Sequence, residues 1–195
     1  MNKLVLAPAC VAWLLTACAH PMLVKPDLEA TKNVQAHNHL PQKVGLYIPD
    51  SLRSLEVTTA GGGGDKVRYK PYADMETGIF QVLGDSFSDA IVLNSRTDAD
   101  AIAKHSLNYI VEPHIDTKSS SSGVFTWMAT DFEIKLTCRF TDPAGNLLAT
   151  LTSDGTGHSD FSELTHNMSA AGEHAATDAL VKLGTAIQAA PEFKK

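Results

Sequence analysis

Phe132-Glu133-Ile134-Lys135-Leu136-Thr137-Cys138-Arg139-Phe140 is the stretch whose reading decides the fold. Apolar side chains alternate with Glu133, Lys135, Thr137 and Arg139, the period-two pattern of a strand with one buried face and one wet face. Thr141-Asp142-Pro143-Ala144-Gly145-Asn146 follows as a cluster of turn formers. Residues 147–156 then return as the hairpin partner, so the two strands are antiparallel with a single face in the core.

Outward from this hairpin, the pattern switches to helical spacing. Asp160 and Glu163 stand three apart, as a helix cap requires, and Met168, Ala171, Ala175, Ala179, Leu183 and Ile187 form an apolar stripe. One Ala-rich helix is therefore expected from about residue 160 to 189, ended by Pro191. Upstream, Met75, Ile79, Val82, Leu83 and Phe87 mark an amphipathic helix over 74–88. A brief helix is expected over 98–105, capped by Thr97 or Asp98. Strands are expected around Val44, Leu46 and Ile48, at 55–58, 66–70 and 90–93, and through Tyr109, Val111 and Ile115. Pro113 demotes part of the last to an edge or a bulge, because proline cannot donate to the ladder. The sum is an α+β two-layer sandwich, a mixed and mostly antiparallel sheet packed on two or three helices, over residues 43–190. Residues 191–195 are expected as a C-terminal tail.

The 195 residues carry Lys+Arg 16 against Asp+Glu 22, a formal charge of −6. That acidic balance argues against duplex DNA, whose binding demands a basic footprint, and no nucleic-acid partner is expected. Three cysteines exclude a disulfide-dense scaffold.

The start of the chain is an address. Lys3 precedes an apolar run over residues 4–15, too short for the roughly 20 residues that a bilayer-crossing helix needs. Leu15-Thr16-Ala17-Cys18 closes it. Small Thr16 and Ala17 suit a peptidase groove, and the thiol of Cys18 suits acylation. The motif is similar to the bacterial lipobox, and that resemblance implies that residues 1–17 are a removable signal, with Cys18 lipidated and a membrane held through its acyl chains. Cys10 leaves with the signal and Cys18 is capped, so Cys138 remains as the one thiol, on the apolar parity of its strand. Residues 18–42 hold Pro21, Pro26 and Pro41 without sustained periodicity, and are expected as an extended tether.

Chemistry is sparse. There is no Gly-x-Ser-x-Gly, and the Gly61-Gly62-Gly63-Gly64 run lacks the Gly-Lys-Ser/Thr of a phosphate loop. His37 and His39 would supply two metal ligands without a third. His158, Asp160 and His166 are the residues that a polar pocket would use. No cofactor, no metal and no catalytic residue is expected. One feature departs from the bland pattern: Phe125 and Trp127 have the opposite parity to Phe132, and follow the flexible serine run at 119–122. Without a bulge near Ala129-Thr130 they point away from the core, which makes Ser121, Ser122, Phe125 and Trp127 candidates for contact with a partner.

Leu-Thr-Ala-Cys at 15–18 is similar to the bacterial lipobox. The run Ala99-Asp100-Ala101-Ile102-Ala103-Lys104 before Leu107-Asn108-Tyr109-Ile110-Val111, and the hairpin with Asp142-Pro143-Ala144-Gly145-Asn146 at its tip, resemble a loose group of outer-membrane lipoproteins. That group includes the LptE, YajG-like, curli-assembly and penicillin-binding-protein-activator types, with domains like the TolB amino-terminal domain. The resemblance implies a non-enzymatic accessory or assembly factor for a larger envelope complex. Ala19, which is not Asp, implies an outer-membrane anchor with the domain facing the periplasm. The competing class is a lipoprotein that encloses a lipid or other small ligand between sheet and helices.

Overall fold

The computed structural model describes residues 19–32, 39–122 and 127–194. In chain order the first half comprises β1 (Ala19–Pro21), α1 (Leu28–Lys32), β2 (Leu40–Tyr47), α2 (Asp50–Arg53), β3 (Val57–Ala60), β4 (Lys66–Tyr69) and α3 (Pro71–Ser86). The second half comprises β5 (Phe87–Leu93), α4 (Ala99–His105), β6 (Tyr109–Ser120), β7 (Asp131–Thr141), β8 (Leu147–His158), α5 (Phe161–Leu164) and α6 (Ala170–Ala189). A main sheet of order β5-β2-β6-β7-β8 is parallel from β5 to β6 and antiparallel from β6 to β8. A smaller sheet has the order β1-β4-β3. The fold is α+β, an open sandwich.

The alternation in β7 places its residues as expected. Phe132, Ile134, Leu136, Cys138 and Phe140 are all buried, and Glu133, Lys135 and Arg139 are exposed. On the wet face, opposite charges stand directly across the strands: Asp116 and Asp154 flank Lys135, and Lys118 faces Glu133. The buried face meets α3 and α6. Ala171, Ala175 and Ala179 press against β8, whose Gly155 and Gly157 leave no room for a Cβ beneath the backbone of α6.

Pro113 sits where its missing N–H costs nothing. β2 pairs with β6 only through Tyr109, Ile110 and Val111, so beyond them β6 has one ladder partner, β7. The amide of Ile115, two residues on and of the same parity, donates away from β7 to the Tyr72 hydroxyl at 3.2 Å. Pro113 therefore occupies a local edge, as its sequence predicts.

Three expectations are corrected. Residues 19–32 are not an extended tether: β1 pairs in parallel with β4, and Met22 and Val24 are buried in the main core. Three residues of strand leave no periodicity to read, and their partner lies far along the chain. The helix expected over 160–189 is two helices, because the chain turns between α5 and α6, and Met168 is exposed instead of lining the stripe. Asp160 caps the short α5, accepting from the Glu163 amide at 2.9 Å. Finally, residues 191–194 are not a loose tail. A 3-10 turn over Pro191–Phe193 seats the buried ring of Phe193 at 5.4 Å from Phe87, 5.3 Å from Tyr109 and 4.9 Å from Phe140.

Candidate functional site

Ser121, Ser122 and Trp127 lie where β6 ends and β7 begins. β7 starts at Asp131, opposite Ser120, so the strand does not reach back to Trp127 and its parity does not extend there. Met128 and Ala129 are buried in succession, which no strand alternation gives. The Thr130 amide donates to the Ser120 carbonyl at 3.0 Å, and the Ser122 amide donates to the Thr130 hydroxyl at 3.2 Å, closing the serine segment back on the sheet. Ser121 lies within this closure, just past the end of β6.

Trp127 is partly buried. Its ring stacks on His20 of β1 at 4.2 Å, and its carbonyl accepts from the Gly62 amide at 2.9 Å. A Cβ on Gly61 would overlap that same carbonyl oxygen, so the glycine run serves a close backbone approach. His20 in turn stands 3.4 Å from Asp65. The smaller sheet is also stitched to β6 by hydroxyls: Thr59 to Ser119 at 2.6 Å, Tyr69 to Thr117 at 2.7 Å, and Ser119 to the Ala60 carbonyl. Burial pushes the Tyr69 phenol above its ordinary value, which keeps it a neutral donor. Cys18 and Phe125 lie outside the described residues.

The polar residues nearby are paired locally. His158 pairs with Asp131 at 2.7 Å, Asp160 is spent on capping α5, and His166 stands 2.9 Å from the Ser162 carbonyl. The Thr130 hydroxyl, followed by His158, holds the Asp131 carboxyl below its usual range. Among the described residues, no three His, Cys, Asp or Glu side chains are grouped so as to hold a metal ion. A groove of about 500 Å³ opens on the wet face of the sheet, bordered by Asp116, Lys118, Glu133, Lys135, Asp154 and Thr156. Its rim carries charges of both signs. The space between helices and sheet is occupied by the side chains of the core.

The same end of the domain also presents apolar side chains to solvent. β8 ends at His158, α5 and α6 begin beyond it, and the Ser159 amide ties back to Thr130 at 2.9 Å. The Leu23 amide donates to the Ser169 hydroxyl at 3.0 Å, placing the segment after β1 against the start of α6. Around this junction Phe161, Met168 and Leu23 are 60%, 52% and 55% exposed. Neither Phe161 nor Leu23 belongs to a periodic run of the sequence: Phe161 stands among polar residues, and Leu23 sits between Met22 and Val24.

No family model and no curated protein matches the sequence. Among solved structures, the chain is similar to a DUF330-family protein from Xanthomonas campestris, with a TM-score of 0.50 at 13% identity over 91% of this chain and 97% of that one. It is also similar to a minor lipoprotein from Acinetobacter baumannii, with a TM-score of 0.41 at 14% identity over 76% of this chain and 93% of that one. At 13% identity the likeness to the Xanthomonas protein is one of fold.

Proposed function

We propose that this chain is a lipid-anchored protein of the bacterial envelope that works without catalysis, as an accessory subunit of a larger complex. The observation that carries the reading is Leu15-Thr16-Ala17-Cys18 at the end of a short apolar run. Acyl chains at roughly 0.8 kcal/mol per buried methylene anchor such a protein firmly. Among the described residues no helix is long and apolar enough to cross a membrane, which is consistent with an acyl anchor. Ala19 after the cysteine favours the outer membrane, with the domain in the periplasm.

An accessory role is consistent with the local pairing of these side chains, His158 with Asp131, Asp160 with the Ser162 hydroxyl and the Glu163 amide, and His166 with the Ser162 carbonyl and the Thr165 hydroxyl. Trp127, engaged by His20, is a weaker partner contact than the outer strand β5 of the main sheet, where Val92 is 46% exposed. Such an edge can accept an added strand from a partner.

Two measurements test the reading. Mass spectrometry of the amino-terminal peptide should find an acylated Cys18 in the wild type and an uncut, soluble or mislocalised chain in Cys18→Ser. A photo-crosslinking probe at Val92 should give one discrete envelope-protein adduct in cells. An unmodified Cys18 in a membrane-associated wild type would overturn the anchor, and a folded, anchored protein without any adduct would overturn the accessory role.

A further inference from the structure

Covalent geometry puts the Cα of Cys18 about 3.8 Å from that of Ala19. Ala19 is already the first residue of β1, in register with Lys66 of β4. No slack therefore separates the proposed acylated residue from the folded domain, so the part of the surface around β1 must lie where the acyl chains enter the bilayer. That surface belongs to the same end of the fold as Trp127, the α5–α6 junction and Leu23, linked through the stacking of His20 on Trp127 and the hydrogen bonds among Ser120, Thr130 and Ser159. Phe161, Met168 and Leu23 are exposed there.

We propose that this end of the domain rests directly on the bilayer, with Phe161, Met168 and Leu23 seated in its interfacial layer. The proposal rests on the reading that Cys18 is lipidated. Exposed large apolar side chains beside a lipid attachment point fit an amphipathic boundary, where rings and long apolar side chains leave water while the backbone stays outside. The charge nearby is mixed and not net basic: Asp65, Asp74, Asp131, Asp160 and Glu163 stand with Lys66, Arg68 and Lys70. The contact is therefore apolar in origin and does not depend on anionic headgroups, in contrast to a polybasic membrane patch. Leu147 and Leu148 are also exposed, but they open β8 at the opposite end of a strand whose last residue is His158, so they supply an internal control.

The test uses the full acylated chain, purified from membranes and reconstituted in phosphatidylethanolamine–phosphatidylcholine vesicles. A nitroxide is carried at Phe161→Cys or at Leu147→Cys, and Cys138 is buried and leaves the labelling specific. Depth is read by electron paramagnetic resonance as the ratio of collision with oxygen, which concentrates in lipid, to collision with a water-soluble nickel chelate. The expected result is an oxygen-to-nickel ratio at 161 several-fold above that at 147, unchanged by raised salt. Equal, water-like ratios at both positions would overturn the proposal, as would spin–spin broadening at 161 that reports a second copy on this face. Mass spectrometry of the same preparation separates the two failures. Acylated Cys18 with a water-exposed label at 161 refutes the docked orientation alone, and absent acylation refutes the anchor together with it.

Discussion

Gly157 of β8 lies directly beneath Ala171 of α6, so close that a Cβ on the glycine would overlap the alanine carbonyl oxygen. Gly155 stands in the same relation to Ala175, one turn further along the helix. Two glycines in a strand and an alanine stripe on a helix let the two backbones approach to a distance that larger side chains forbid. In Gly157→Ala the obstacle is backbone and cannot swing aside, so either α6 or β8 must shift. The expected cost is about 1–3 kcal/mol, read as a lower urea midpoint with an unchanged m-value. Gly84→Ala, on α3 with open space at its Cβ, should leave the midpoint unchanged or slightly higher.

Cys138 is fully enclosed in the core, and burial pushes its thiol up to about 12. The thiolate is the reactive form, so the native protein should consume no Ellman's reagent at pH 8 over hours. One equivalent should react at once in 6 M guanidinium chloride when residues 10 and 18 are both serine. Rapid labelling of the native protein would mean that β7 opens locally.

The Asp131 and Asp142 carboxyls are both held below the ordinary value of 3.8, the first by the Thr130 hydroxyl and then His158, the second by Asn146. The folded state therefore binds fewer protons than the unfolded chain in this range. Their stabilisation is complete above pH 3.8 and fades as pH falls through the lower folded values. The melting temperature should drop between about pH 4 and pH 2, and the drop should be shallower in Asp131→Asn with Asp142→Asn. Calorimetry across that window checks it.

The ends of α4 allow a paired test. Asp98 caps the start, accepting from the Ala101 amide at 3.0 Å, and Ser106 ends the helix in the left-handed region at φ 54°. Asp98→Ala should cost about 1 kcal/mol. Ser106→Gly should gain up to about 1 kcal/mol, since glycine takes that backbone conformation without strain. Thermal melts of the two variants should move in opposite directions.

The sequence made β7 and α3 legible because each buries one face against a continuous partner, so Phe132 to Phe140 and Met75 to Val82 carry the period of their own element. Pro113 was legible as a local edge for a comparable reason, a missing donor that any ladder must accommodate. Elements whose existence depends on distant partners left no such trace. β1 is three residues held by β4, and Met22 and Val24 look like any apolar residues in a proline-bearing linker. Met168 fits the alanine stripe by spacing alone, and only the turn between α5 and α6 removes it from the core. At the candidate site, the parity argument for Trp127 assumed a strand that begins only at Asp131, and the partner of the indole ring, His20, lies more than a hundred residues away. The role of Gly61 has no signal in the sequence, because it is set by the Trp127 carbonyl that lies against it.

The ring of Phe193 closes an aromatic cluster whose other members, Phe87, Tyr109 and Phe140, come from three strands of the main sheet. Phe193 follows every strand and helix of the domain along the chain. Synthesis delivers polypeptide from the amino terminus, so the hydrophobic interior stays incomplete until the last helix and the turn beyond it have been made. A chain stalled after α6 would present an unfilled hollow among three aromatic rings to the chaperones and proteases of its compartment. Completeness of synthesis is thereby written into the folded state: the domain reaches its full stability only after Phe193 has arrived.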